Sequence, residues 1–420
     1  MKINKEVRLI VLKRILITIG ILLVIRIGTF LPVPGINHSD LAFYIQSHSV
    51  TRSLISTFSG NNTFVIGLFT LNIFPYINAS ILVQLISGFD KQISKLQKEG
   101  DLKGRRSINK LTRLISLVLA IVQSFGLALY LKQILFNWNY LLAGEIIIWL
   151  TTGAMIVLWL SELITDYGLG NGTSLLIYIN IISNLPNLTS NISLEINSGI
   201  NIFTSLTVFL VILLSLYGIV FLNEGFRTIP LISSKQLNQS FSQDQLVKSN
   251  NYYLPLRFNQ AGVMPIILTT AILVVPNYIN NSGILPKINF PISLEYFGFV
   301  YWIGYFMLIL AFSSFYSTIV LNPKDMSDQL QKMAVTIPGV RPGIQTTFYL
   351  KQVMKRVTLI GAIMLATIVI LPNFVESTLN VSSLNGLNTS SLLILAGVIL
   401  DLVREVKNIY YSNVYNNMYQ

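Results

Sequence analysis

The chain has 420 residues, of which 52% are hydrophobic and only 11% charged, and its mean hydropathy is +0.63. A soluble domain carries about 25% charged residues, so a soluble multidomain enzyme of this length is nearly excluded and a polytopic membrane protein is indicated. With no cysteine and two histidines, His38 and His48, there are no disulfides, thiolate nucleophiles or imidazole metal cages, and the net charge of +12 has to be located before it is interpreted.

Charge-poor apolar runs at about residues 15–34, 64–88, 111–131, 141–164, 173–186, 202–222, 262–279, 297–321, 357–375 and 389–403 predict ten spans. The first is a mature span rather than a signal peptide, because Arg26 and Leu31 to Gly35 follow without a small-residue cleavage site. Arg26 reads as a cation snorkelling toward the boundary at Pro32 to Gly35. Ser53 to Thr63, just before span 2, is too polar and Gly-interrupted for a lipid-facing helix. It reads as a short re-entrant piece inside the bundle, with an interfacial loop as the alternative. Between spans 4 and 5, Gly168-Leu169-Gly170-Asn171-Gly172 lacks the spacing and the preceding strand of a dinucleotide loop and reads as a tight turn.

The fifth and tenth spans are short and occupy matching positions in a 5 + 5 division, the pattern of an inverted repeat around a central pathway. The expected organisation is a basic segment 1–14, a first five-helix half 15–186, an external linker 187–201, a second half 202–403 and a tail 404–420. A transporter and a channel both remain open on this pattern alone. No mid-span carboxylate or histidine suits a coupling ion, which favours a passive conduit.

All 29 basic residues except Arg26, Arg52, Lys132 and Lys287 lie before span 1, between spans 2 and 3, 6 and 7 or 8 and 9, or after span 10. Both termini therefore face the cytosol or its organellar equivalent. The short loop from Glu162 to Gly172, with two acids and no base, runs against this trend. Two longer loops, 223–260 and 322–356, lie on the basic side. In the second, Pro338-Gly339-Val340-Arg341-Pro342-Gly343 would hold one arginine at a stiff tip, suited to an anionic partner or simply to fixing topology.

Several ordered motifs then coincide with one family. They are Arg26-Ile27-Gly28 with Pro32-Val33-Pro34-Gly35, Phe58-Ser59-Gly60, Pro75 to Ile81, Lys98-Glu99-Gly100 with Gly104-Arg105-Arg106, and Gly168 to Ser174. Leu254-Pro255-Leu256-Arg257 with Asn259 to Val263, Asn322-Pro323 and Pro338 to Gly343 complete the set. On these the chain resembles the SecY family of protein-conducting channels, from about Arg14 to Lys407.

The resemblance implies an all-α polytopic fold of ten helices in a two-halved clamshell, enclosing a pore that opens across the membrane and sideways into lipid. It implies a non-enzymatic subunit with no cofactor or metal. By alignment the pore ring would be Ile73, Ile77, Ile177, Ile267 and Ile394, and the plug about 57–68, including Thr57, Phe58, Ser59, Gly60, Asn61 and Asn62. Gln84, Gln123 and Asn259 resemble lateral-gate positions. Arg105, Arg106, Arg257 and Arg341 look like docking sites for the SecA motor ATPase or the ribosome. Partners implied are a SecE-like small subunit, a SecG-like one and signal-bearing preproteins. In loop 223–260, Lys248 stands where a pair of arginines would be usual, which weakens the expected ribosome contact there. The Asn- and Ile-rich composition favours a plastid thylakoid membrane, termini stromal, over a bacterial plasma membrane, termini cytoplasmic.

Overall fold

The computed structural model describes residues 5–34, 66–89, 102–132, 139–183, 202–233, 253–260, 262, 264–266, 268–269, 298–320, 322–379 and 389–418, and most of the described residues in the predicted spans are helical. The chain divides into two units, one of Met1–Glu195 with Val398–Gln420 and one of Ile196–Gly397. Among the described residues, four helical stretches are long and apolar enough to cross a membrane: Arg106–Leu129, Tyr140–Tyr167, Trp302–Lys332 and Ile344–Pro372.

The first unit contains α1 (Lys5–Phe30), α2 (Phe74–Phe89), α3 (Leu102–Leu131), α4 (Tyr140–Tyr167) and the short α5 (Gly172–Ser183). Helix α3 shows how lipid replaces water in shaping these helices. Its inward face is small, with Thr112, Ser116, Ala120, Ser124 and Ala128 buried at four-residue spacing, while Leu114, Val118, Ile121, Val122 and Phe125 point outward. Small residues let backbones approach closely where no hydrophobic force drives helices together. The hydroxyls return to their own helix: Thr112 donates to the Ile108 carbonyl at 2.9 Å and Ser116 to that of Arg113 at 2.7 Å. They therefore add little polarity to the bilayer. Helix α3 packs against α2 and α4, and α1 packs against α4. The shared core runs through Val33, Ile66, Leu71, Ala120, Leu131, Ile146 and Leu150.

The second unit has a membrane layer and a cap. Its membrane layer comprises α6 (Ile202–Glu224), α7 (Gly298–Val320) and most of α9 (Ile344–Leu379), with α10 (Thr389–Met418) beginning here and continuing in the first unit. Ile219, Leu222, Ile309, Leu365, Ala366, Val369 and Leu393 form its core.

The cap is built from the two long loops, which fold as β-ribbons rather than as open connectors. Strand β1 (Phe226–Pro230) pairs antiparallel with β3 (Tyr253–Arg257), from Phe226 opposite Arg257 to Pro230 opposite Tyr253. Strand β2 (Ile232–Ser233) pairs with β4 (Val335–Thr336). Helix α8 (Pro323–Lys332) joins them; the Asn322 side chain caps it by accepting from the Lys324 amide at 3.1 Å, and Pro323 opens its first turn. Ile229, Leu256, Leu330, Ile337, Leu350, Val353, Met354 and Val357 make one apolar cluster beneath the ribbons. Helix α9, at 36 residues, is about 54 Å long and exceeds the roughly 30 Å hydrocarbon layer. Its first turns belong to the cap cluster and its remainder to the membrane layer.

Two boundaries differ from the sequence expectation. Span 2 was expected from residue 64, but α2 begins at Phe74 and residues 66–73 are a chain of turns. The tenth helix is not short: its apolar first half continues as a charged helix to Met418.

Candidate functional site

Residues 66–73 are apolar but non-helical, and their hydrogen bonds go to the end of α1. The Val33 amide donates to the Ile66 carbonyl at 3.1 Å, and the Leu68 amide donates to the Leu31 carbonyl at 2.8 Å. Turns then follow within the segment, with the amides of Thr70 and Asn72 donating to the carbonyls of Gly67 and Phe69. Irregular backbone in a membrane protein is tolerated where protein surrounds it, and here glycines make the room. A Cβ on Gly67 would sit 2.0 Å from the Thr29 carbonyl oxygen, and one on Gly153 of α4 would sit 2.1 Å from that of Leu68.

The segment ends at Asn72, whose backbone is left-handed at φ 48°. Its side-chain oxygen accepts from the Ile73 amide at 2.8 Å, just before the helix that carries Ile77 begins at Phe74. The Ile77 amide donates to the Ile73 carbonyl at 3.1 Å, which puts these two isoleucines one turn apart on one face. Both are buried in the first unit, and Ile177 on α5 is half-buried in the same unit. Ile394 is half-buried on α10 within the second unit. Ile267 and Thr57, Phe58, Ser59, Gly60, Asn61 and Asn62 lie outside the described residues.

The three polar residues singled out earlier have different surroundings. On α2, Gln84 donates to the Ser80 hydroxyl of its own helix at 3.3 Å. On α3, the side-chain oxygen of Gln123 is buried without a hydrogen-bond partner among the described residues. Asn259 donates to the Asn223 side chain at the end of α6, 3.1 Å away. Its neighbour Gln260, which sequence reasoning passed over, accepts from Ser317 of α7 at 2.8 Å. Within span 1, Arg26 lies with its guanidinium carbon 4.9 Å from the Phe30 ring centre, and one of its terminal nitrogens is buried without a hydrogen-bond partner among the described residues.

The basic residues sort onto the cap. Arg257 is exposed at the end of β3, and Arg227 is exposed beside it on β1. Lys324, Lys332, Lys351, Lys355 and Arg356 are also exposed. Arg341 is exposed on the α8 to α9 loop, where Gly339 and Gly343 take left-handed φ of 77° and 101°. The loop is tied down at its base: Ser327 donates to the Gly343 carbonyl at 3.0 Å and Thr346 to that of Arg341 at 2.9 Å. The tip is thus stiff, as the two Pro-Gly turns suggested. In the first unit, Arg106 is exposed near the start of α3, which also contains Arg105. The acidic loop that ran against the charge trend is partly accounted for, because Glu162 of α4 accepts from Arg113 of α3 at 2.7 Å.

The residues that sequence reasoning missed had local signals. Asn72 followed by Pro75 is a turn-then-helix signature, and the alternation Leu254, Pro255, Leu256 is that of a half-buried strand.

Comparison with known proteins agrees on one family. A family model described as SecY matches residues 67–403. A protein translocase subunit SecY from Trieres chinensis is 59% identical over 415 residues, covering 97% of both chains. The corresponding subunit from Synechococcus elongatus is 38% identical over 416 residues, covering 96% of this chain and 93% of its own. Among solved structures, a SecY protein studied for its plug domain superposes with a TM-score of 0.67 at 16% identity, covering 97% of this chain and 93% of that one. Sec61 in the canine ribosome-channel complex gives 0.61 at 15% identity over the same shares. The chain belongs to the SecY family of protein translocase subunits, protein-conducting channels rather than enzymes.

Proposed function

We propose that this chain is the channel-forming subunit of a Sec translocase, passing unfolded preproteins across the membrane and releasing apolar segments sideways into the bilayer. What carries this reading is the non-helical stretch 66–73, hydrogen-bonded to the end of α1 and leading directly into Ile73 and Ile77. A lipid-facing helix has no use for such backbone, whereas the wall of an internal passage does.

In this reading ten spans form two inverted five-helix halves, 15–186 and 202–403, joined by the linker 187–201. Ile73, Ile77, Ile177, Ile267 and Ile394 ring the constriction; branched apolar side chains there block ions by dewetting yet yield around an extended peptide. The segment of about 57–68 plugs it. Gln84, Gln123 and Asn259 lie along the seam through which signal sequences leave. A SecE-like subunit, with or without a SecG-like one, braces the bundle. The energy comes from SecA or the ribosome docked on the cap through Arg257 and Arg341 and on Arg105 and Arg106. Relatives in algae and cyanobacteria, with the Asn- and Ile-rich composition, support a plastid thylakoid membrane with stromal termini.

Reconstitution tests it. Vesicles containing the chain, its copurifying small subunits and SecA are expected to protect a signal-bearing precursor from added protease. Protection no better than in vesicles lacking the chain would refute the reading.

A further inference from the structure

Three consecutive residues at the exit of β3 each hold a different element of the second unit. The Phe258 amide donates to the Gly225 carbonyl at 3.1 Å, and its own carbonyl oxygen lies where a Cβ on Gly361 of α9 would be 2.1 Å away. The Asn259 side chain donates to Asn223 on α6 at 3.1 Å. Gln260 accepts from Ser317 on α7 at 2.8 Å. Immediately before them stands the exposed Arg257, and the strand that ends there is anchored in the cap core by Leu256. Immediately after them begins the predicted seventh span.

A connector that only bridged cap and membrane would leave its amides to water. Here the Asn259 amide donates to α6, the Gln260 side-chain oxygen accepts from α7, and glycine at 361 lets the backbone of α9 come into contact, while the Gln260 amide nitrogen is buried without a hydrogen-bond partner among the described residues. Part-buried side-chain hydrogen bonds of this kind help fix geometry because breaking one leaves a partly desolvated group unpaired. Elements tied at one point by several such bonds move together.

We propose that Phe258, Asn259 and Gln260 form a rigid node that passes displacement of the cap to α6 and α7. Phe258 and Gln260 are positioning residues that touch neither substrate nor docked partner; Asn259, which also lies along the proposed seam, ties the node to α6. The node rests on the reading above, in that the displacement it transmits is the one a motor imposes when it docks on the cap. Asn259–Asn223 and Phe258–Gly361 fasten the node to α6 and α9, and Gln260–Ser317 is its tie to α7.

The test uses the full chain with its copurifying subunits in vesicles, titrated with SecA. Gln260→Ala, Ser317→Ala and their double variant are compared with the wild type for the maximal rate of precursor translocation, the SecA concentration at half that rate, and the thermal midpoint. Each single variant is expected to lower the maximal rate about fivefold, the size of a modest coupling between sites, and the double variant no further than either single one. The half-saturating concentration stays at the wild-type value, and the thermal midpoint falls by no more than the few degrees that one lost hydrogen bond costs. The exchanged pair Gln260→Ser with Ser317→Gln restores the rate.

Because the chain has no cysteine, Gln260→Cys with Ser317→Cys can be joined by a short bifunctional thiosulfonate without background. A rigid node predicts wild-type transport in that cross-linked protein. Unchanged maximal rates in the single variants would overturn the proposal. So would a parallel loss of SecA affinity and stability, which would mean a misfolded cap, or arrest by the cross-link, which would mean that the bond must break. If the wild type itself fails to transport, the functional reading falls, and that result is distinct from all of these.

Discussion

Gly153→Ala probes the close approach on which the non-helical segment depends. The added Cβ would lie 2.1 Å from the Leu68 carbonyl oxygen and 3.3 Å from the Phe69 ring. Ordinary carbon to oxygen contacts begin at about 3.3 Å, so the Leu68 carbonyl would have to retreat by about 1 Å. Overpacking of that order costs about 1–3 kcal/mol. The retreat also stretches the bonds that hold the segment to α1, Leu68 to Leu31 at 2.8 Å and Val33 to Ile66 at 3.1 Å, each contributing about 1 kcal/mol. The expected destabilisation is therefore about 2–5 kcal/mol. Gly144 lies on the same helix, and a Cβ there would meet nothing within 4 Å, so Gly144→Ala is the matched control, expected to change stability by no more than about 0.5 kcal/mol. Thermal unfolding of the purified protein in detergent, followed by the fluorescence of Trp149 and Trp159 on α4, reads the difference. If Gly153→Ala and Gly144→Ala melt together, the segment is not held against α4 in the way described.

Asn72→Ala removes the hydrogen bond to the Ile73 amide and the side chain that tolerates φ 48°, so stability is expected to fall by about 1–3 kcal/mol in the same assay, with Asn72→Gly costing less. Replacing Ile73, Ile77 and Ile177 together by Gly is expected to raise the resting ion conductance of vesicles several-fold; an unchanged leak would remove them from the constriction. Arg341→Glu is expected to lower SecA-driven transport by roughly tenfold while the chain still inserts into the membrane, and normal transport would remove that residue from the docking surface.

The sequence carried the membrane class because it depends on a quantity additive along the chain. Long uncharged runs mark burial in lipid. Hydropathy failed at residues 66–73 because it measures burial and is blind to backbone conformation: Ile66 and Leu71 are as buried as any span residue, yet Gly67 and Asn72 turn the chain. The cap was missed for a different reason. Its ribbons pair strands far apart in sequence, so Ile232 gives no local sign that Thr336 will lie opposite it. Arg341 was legible because Pro-Gly turns are local. Gln260 was not, since its tie to Ser317 spans two predicted helices.

That long-range pairing sets a clock on biogenesis. Strand β3 ends at Arg257, but β4 and the α9 residues that complete the cap core, Leu350 to Val357, come nearly a hundred codons later. At ordinary synthesis rates the first loop waits roughly 5–20 s, half-built, while two more spans enter the membrane. Until then the surface bearing Arg257 has no finished foundation. A truncated or stalled nascent chain therefore lacks a mature cap.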